Sequence, residues 1–245
     1  MNPKTLIQVG CATGDNYICK LIEDKQIEHA IFIDANIESL RQCQSTQEKY
    51  FLNKKRKPNL EYINCAISTI DTKQKPYVDF YIAVNDDKSL HASLDQNIVK
   101  GQSKKDGNFK TIQVQNINIT DIFESYKLKT IEYLITDIEG IDHFIARQLF
   151  HEGYLAPTAL PQDTNIDELG RKTYKNVIGT KIDIKNYQFE FTHWGGFQQY
   201  DSTQTGTELG YFLYALINHG YTVYQSSATD IMVTKEPYST YIKSI

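Results

Sequence analysis

The feature that most constrains this chain is a glycine turn set between a strand and a helix near its start. Thr5 to Val9 is a short apolar run, Gly10-Cys11-Ala12-Thr13-Gly14 follows it at once, and a helix-periodic segment runs from about Asp15 to Glu23. Glycine at such a junction lets the backbone turn tightly and approach a ligand with no Cβ in the way. A second strand, Ala30 to Ile33, and a helix that turns Ile37, Leu40, Cys43 and Tyr50 inward repeat the pattern, and Pro58 sets the limit of that helix. Strands and helices in alternation predict an α/β protein built on a mostly parallel sheet.

Further along, Leu60 to Ile67 and Val78 to Val84 read as strands, and Asp106-Gly107 before an extended Thr111 to Val114 reads as a small hairpin. Ile131 to Thr136 has the pattern of a buried strand, and Ile141, Phe144, Ile145 and Leu149 then share one helical face. From Gly153 to about Asn186 the chain is polar and without period, which predicts an insertion or lid at about 154–186. Tyr187 to Thr192 is a strand, Leu209, Phe212, Leu213, Leu216 and Ile217 make an amphipathic helix, and Tyr221 to Thr234 closes as a hairpin. With 245 residues the expectation is a single domain over 1–245.

Asp34 ends the second strand about 20 residues after the glycine turn, where a carboxylate accepts the ribose hydroxyls of an adenosine-containing cofactor. A nicotinamide dinucleotide would use the same two features. It also needs a helix N-terminus opened to pyrophosphate by GxGxxG, and here Ala12 and Asp15 stand at the second and third glycines. A cofactor without phosphate fits better, and hydride chemistry is the weaker reading.

Ile135-Thr136-Asp137-Ile138-Glu139-Gly140 resembles the Lys-Ile-Asp-Val-Glu-Gly motif of the FkbM family of S-adenosylmethionine-dependent methyltransferases. Gly10 to Gly14 is similar to that family's Gly-Ala-Asn-x-Gly loop, Asp34 to its second-strand acid, and Asn64 to Ser68 to its Ala-Val-Ser stretch. Ser89 to Leu94, Asn118 to Ile122 and Gly220-Tyr221 fall in the family's order. The resemblance implies a Rossmann-like class I methyltransferase fold, with a mostly parallel seven-stranded sheet, a C-terminal antiparallel hairpin and helices on both faces. It implies S-adenosylmethionine held by Gly10, Cys11, Gly14, Asp34, Ala35, Ile67, Ser68 and Asp137. Three positions depart from the pattern: Gln8 stands where these enzymes usually carry an acid, Ala12 where the family often has Asn, and Ile135 where its motif has Lys. The chain starts at its first strand, so the expectation is that no cap domain precedes it.

Methyl transfer is an in-line displacement, so the protein has to align donor and acceptor and dispose of one proton. Asp137 and Glu139 are the candidates at the carboxyl end of their strand, with helix capping as the competing role. His193, beside Trp194 and Gly195-Gly196, is the candidate base, against a structural histidine. Glu190 matches an acid often seen in the family's equivalent strand, on the face opposite His193. A divalent metal held by Asp137, Glu139 and His193 is the less favoured variant.

The remaining features carry no chemistry. The net charge of -4 does not point to nucleic acid, and the four cysteines lack metal-binding spacing, which suits free thiols in a reducing cytoplasm. Lys54-Lys55-Arg56-Lys57 reads as a solvated helix end, Asn118-Ile119-Thr120 as a chance sequon, and no targeting segment or membrane span is visible. The expected function is methylation of a hydroxyl on a sugar or other small acceptor. The alternative is a Rossmann-like binding or structural module without catalysis. Acceptor identity and oligomeric state are not legible.

Overall fold

The computed structural model describes residues 3–14, 16–84, 92–102, 108–155, 158–159, 164–166, 172–174, 177–178, 181–191, 202–227 and 229–235. In chain order the elements are β1 (Thr5–Val9), α1 (Asn16–Asp24), β2 (His29–Asp34), α2 (Ile37–Phe51), β3 (Asn59–Asn64), β4 (Ala66–Ile67), β5 (Tyr77–Ala83), β6 (Ala92–Ser93), α3 (Gln96–Gln102), β7 (Phe109–Ile117) and α4 (Ile119–Ser125). They continue as β8 (Thr130–Thr136), α5 (Asp142–His151), β9 (Thr158–Ala159), β10 (Thr164–Ile166), β11 (Lys172–Tyr174), β12 (Val177–Ile178), β13 (Asp183–Glu190), α6 (Ser202–Asn218), β14 (Thr222–Gln225) and β15 (Asp230–Thr234).

A seven-stranded sheet runs in the order β14-β15-β13-β8-β1-β2-β3. Neighbours from β13 through β3 are parallel, whereas β15 lies antiparallel between β13 and β14. Alternation along β1 separates the two faces. Ile7 and Val9 join a core completed by Ile122 and Phe123 of α4, Ile145 and Leu149 of α5 and Leu216 of α6. Leu6 joins Phe32, Tyr133 and Ile135 against Ile18 and Ile22 of α1 and Leu40 and Phe51 of α2. Each fully buried side chain of this size contributes roughly 1.5–3 kcal/mol. The chain is therefore an α/β three-layer structure with helices on both faces and a C-terminal antiparallel hairpin.

Several local expectations shift. The run from Leu60 to Ile67 is two strands, because Asn64 turns the chain by donating its side-chain amide to the carbonyls of Asp34 (2.9 Å) and Ala35 (3.1 Å). β4, β7, β5 and β6 form a separate four-stranded sheet over a small core of Ala35, Ala66, Val78, Phe80, Ile82 and Val114. Val78 to Val84 thus belongs beside the main sheet, and Thr111 to Val114 lies in β7, which pairs antiparallel with β5. The turn expected at Asp106-Gly107 lies outside the described residues. Phe144 and Ile217 are 49% and 51% exposed, on the outer faces of their helices. β13 starts at Asp183 rather than Tyr187.

Within the insertion β9 pairs with β12 and β10 with β11, both antiparallel. Its base is closed by the Lys181 N–H donating to Gly153 O at 3.0 Å, and Asp183 pairs with Thr130 at the start of β8. The insertion therefore leaves the sheet at the amino ends of its parallel strands. No helix among the described residues is long and apolar enough to cross a membrane.

The two features set aside have structural explanations. Asn118 caps α4 in a capping box with Asp121, its oxygen accepting from Thr120 N at 3.1 Å, so the sequon is a helix start. Lys54 pairs with Glu23 at 2.9 Å and Arg56 with Glu28 at 3.2 Å, exposed contacts of little energetic weight.

Candidate active site

The carboxyl ends of β1, β2 and β8 meet around Gly10. Its φ is +76°, and a Cβ there would sit 1.8 Å from the Asp137 carbonyl oxygen, so only glycine fits. Asp137 N–H donates to Val9 O at 3.0 Å and Gly10 N–H to Ile33 O at 2.9 Å, which ties the glycine loop to both neighbouring strands. Gly14, at φ +70°, rests against Cys43 on α2. Ala12 is also left-handed, at φ +45°, and its N–H donates to Asp34 Oδ2 at 3.0 Å. Asp34 Oδ1 accepts from Asn36 N at 2.8 Å. Burial raises the Asp34 carboxyl to about 6, partly countered by the Asn36 and Ala12 N–H groups.

Over this junction opens a cleft of about 310 Å³, within the size of small-ligand sites. Ala35, Cys65, Ala66, Ile67 and Phe80 supply an apolar wall, and Asp34, Asp137 and Glu139 supply carboxylates. No Lys, Arg or His is among its described lining residues.

Asp137 is an exposed residue whose side chain opens into the cleft. Desolvation by its walls, followed by the charges of Asp142, Glu190, Glu139 and Asp230, pushes its carboxyl up to about 8. Asp142, the first residue of α5, is 2% exposed. Its Oδ2 accepts from Ile138 N at 3.1 Å, whereas Oδ1 has no hydrogen-bond partner among the described residues. Burial raises it to about 7, against the opposing pull of the Thr136 hydroxyl and the Ile138 N–H. Glu139 (φ +50°) and Gly140 (φ +100°) are both left-handed, and the buried Ser93 hydroxyl donates to Glu139 O at 2.7 Å, fastening the motif turn to the smaller sheet. Among the described residues no group of three or more His, Cys, Asp or Glu side chains is arranged to hold a metal ion.

Of the residues expected in the site, Gly10, Asp34, Ala35, Ile67, Asp137 and Glu139 line the cleft. Cys11 and Gly14 shape the loop from behind, joined by the Gly14 N–H to Cys11 O bond of 2.9 Å. Ser68 is not among the lining residues: its hydroxyl donates to Asn116 Oδ1 at 2.7 Å and accepts from Ile70 N at 3.1 Å, which holds the turn after β4. His193 lies outside the described residues, three positions beyond the end of β13 at Glu190. Phe80 and Leu94 of the wall went unforeseen because they arrive from the smaller sheet and the turn after it. Asp142 did carry a signal: it is an acid between Ile138 and Ile145 on an otherwise apolar helical face.

The FkbM methyltransferase domain matches residues 8–149, more than half of the chain and both motif turns. The chain belongs to the FkbM methyltransferase family. Its cofactor is S-adenosylmethionine, and the cleft suits that molecule: the apolar wall fits a purine, the Asp34 carboxylate a ribose diol, and the acids a cationic end. No curated protein matches the sequence. Among solved structures, a human methyltransferase 10 domain containing protein is 7% identical over 97% of this chain and 74% of its own, with a TM-score of 0.43. M. capricolum TrmK in complex with S-adenosyl-homocysteine is 13% identical over 97% of this chain and 64% of its own, with a TM-score of 0.34. The methyltransferase domain of bacterial CtHen1-C is 13% identical over 95% and 88%, with a TM-score of 0.37.

In this FkbM chain the departures at Gln8 and Ile135 are a pair, because the β1–β8 register sets them side by side. The family's acid and lysine would be neighbours here. Gln8 is 7% and Ile135 4% exposed, and neither lines the cleft.

Proposed function

We propose that this FkbM protein transfers a methyl group from S-adenosylmethionine to a hydroxyl of a small acceptor such as a sugar. The observation that supports this best is the lining of the cleft, apolar on one side and acidic on the other with no cation among its described residues. That lining disfavours a phosphate-bearing nucleotide and favours an adenosine cofactor with positive charge. When bound, S-adenosylmethionine supplies an electrophilic methyl group. Gly10 lets the backbone close on Asp137, and Asp34 takes the ribose hydroxyls. Ala35 and Ile67 flank the purine. Asp137 hydrogen-bonds the acceptor hydroxyl and receives its proton, a task for which a carboxyl raised to about 8 is matched to neutral or mildly alkaline pH. Glu139 and His193 are secondary candidates, His193 as an alternative base. We favour a form of the reaction without metal, and place it in the cytoplasm, where the four buried free thiols stay reduced. One domain over 1–245 remains our reading, with an insertion or lid at about 154–186.

The second reading, a module that binds without catalysing, draws on Gln8, Ala12 and Ile135. The pairing of Gln8 with Ile135 counsels against it, since a charge pair exchanged for a neutral one leaves no buried charge alone and does not touch the cleft. Calorimetric titration with S-adenosylmethionine, followed by a methyl-transfer assay over a panel of hydroxylated acceptors, tests the proposal. Saturable binding with turnover supports it; saturable binding with no turnover on sugars, phenols or alcohols favours the binding module.

A further inference from the structure

Three adjacent strands each bring a carboxylate to the carboxyl edge of the sheet. Asp137 immediately follows β8, Glu190 is the last residue of β13, and Asp230 is the first of β15. The antiparallel register sets Glu190 directly opposite Asp230. Asp230 Oδ2 also accepts from the Ser227 hydroxyl at 2.6 Å. Behind Asp137 lies Asp142, buried and with one oxygen lacking a partner among the described residues, and Glu139 faces it from the turn into α5. Among the described residues, the charged groups that act on Asp137 from the turn, α5, β13 and β15 are acids, and they add to the effect of burial. A cleft with carboxylates and no cation among its described lining residues is complementary to a positively charged ligand.

We propose that these carboxylates form a charge sensor that holds the methyl donor in preference to the demethylated product. The inference rests on the reading of the cleft as the S-adenosylmethionine site. The two ligands share adenine, ribose and the amino-acid group, and differ in one methyl and one positive charge. The methyl donor is a sulfonium, whereas S-adenosylhomocysteine is a neutral thioether. Asp137 and Glu139 line the cleft itself, with Glu190, Asp230 and Asp142 behind them, so the field they make acts on the end of the ligand where that charge resides. Once the methyl group has left, the sulfur no longer carries a charge for that field to attract, and the neutral product is held less tightly than the donor.

The sign of the pH dependence follows from Asp137. With its carboxyl at about 8, the cluster gains negative charge as pH rises through that value and loses it below. A bound cation favours the ionised form, so donor binding near neutral pH expels a proton and product binding does not. Isothermal titration of the full chain with S-adenosylmethionine, S-adenosylhomocysteine and an analogue carrying an amine in place of the methylsulfonium reads both effects. At about pH 9 the donor and the amine analogue should bind about tenfold more tightly than the thioether, and by about pH 6 the preference should shrink toward one. In two buffers of different ionisation enthalpy, proton release near pH 7.5 should accompany the donor and not the thioether. Asp137→Asn should reduce the preference at alkaline pH, and Glu190→Gln, at a residue that does not line the cleft, should reduce it more weakly with thioether affinity unchanged. Equal affinity for donor and thioether at alkaline pH, or equal proton release, overturns the sensor and leaves the cofactor assignment standing. Absence of saturable binding by any of the three overturns the reading of the cleft as well.

Discussion

Replacing Asp142 with asparagine should make the fold less sensitive to pH, by an amount the structure sets. Asp142 is 2% exposed, and burial lifts its carboxyl from 3.8 to about 7. Below about pH 4 the carboxyl is protonated in both folded and unfolded chains, and its burial carries no penalty for charge. Between about 4 and 7 the unfolded chain ionises while the folded one keeps its proton, so stability falls as pH rises, and above about 7 the loss is complete. At about 1.4 kcal/mol per pKa unit the total is about 4 kcal/mol. An asparagine at this position keeps an oxygen for the Ile138 N–H and never ionises. Its amide nitrogen needs an acceptor in place of the unpartnered Oδ1, a cost of about 1–3 kcal/mol where none is found. Asp142→Asn should therefore be neutral or slightly destabilising near pH 4 and more stable than the parent by up to about 3 kcal/mol above pH 8, a shift in Tm of several degrees for a chain of this size. Thermal unfolding followed by circular dichroism at half-unit pH steps, without cofactor, reads the difference. Parallel Tm curves for variant and parent from pH 4 to 9 would refute the claim that Asp142 ionises at a cost inside the fold.

Four further outcomes are expected. Asp34→Ala should weaken S-adenosylmethionine at least about tenfold by calorimetry, the scale of lost charge-assisted hydrogen bonds, and lower Tm, because the Ala12 and Asn36 N–H groups lose their acceptor. Gly10→Ala should abolish cofactor binding and lower Tm, since its Cβ meets the Asp137 carbonyl at 1.8 Å; an unperturbed dissociation constant would be incompatible with this junction. Ala12→Asn should raise Tm slightly, because an alanine at φ +45° carries roughly 1 kcal/mol of strain that asparagine tolerates better. Asp137→Asn should lower kcat by about a hundredfold or more against about tenfold in donor affinity, and the parent's kcat/KM should rise with pH toward about 8. Full activity of that variant would return Asp137 to the role of a turn residue.

The main sheet was legible wherever strand and helix signals were local. β1 follows from Thr5 to Val9 because five apolar residues meet a glycine turn, and α2 from the spacing of Leu40 and Cys43. The smaller sheet was not legible. β4 and β7 are about 50 residues apart in sequence and pair over two positions, Ala66 with Asn116 and Ile67 with Ile117, so no local pattern announces the contact. The same gap explains the site. Gly10, Asp34 and Asp137 stand at strand ends in the main sheet and were readable, whereas Phe80 and Leu94 depend on where the smaller sheet docks. Ser68 was misplaced for a related reason: the turn that follows β4 aims its hydroxyl at Asn116 of β7, away from the cleft.

The departures from the family pattern divide by what each one touches. Gln8 and Ile135 face the α1–α2 layer on neighbouring strands, where an acid and a lysine would form a buried pair. Removing one member of such a pair strands a charge at a cost of about 3–5 kcal/mol, while replacing both is often neutral. In this chain neither position is charged, and one amide oxygen of Gln8 is without a partner among the described residues. Ala12 differs in kind: it lines the cleft, and its N–H still donates to Asp34 through a backbone that alanine tolerates poorly. That strain persists only because the loop is held from both sides, by Asp34 beside it and by Asp137 across Gly10. The departures thus fall on the support of the cofactor loop and on its local strain, and the carboxylates that give the cleft its charge are intact.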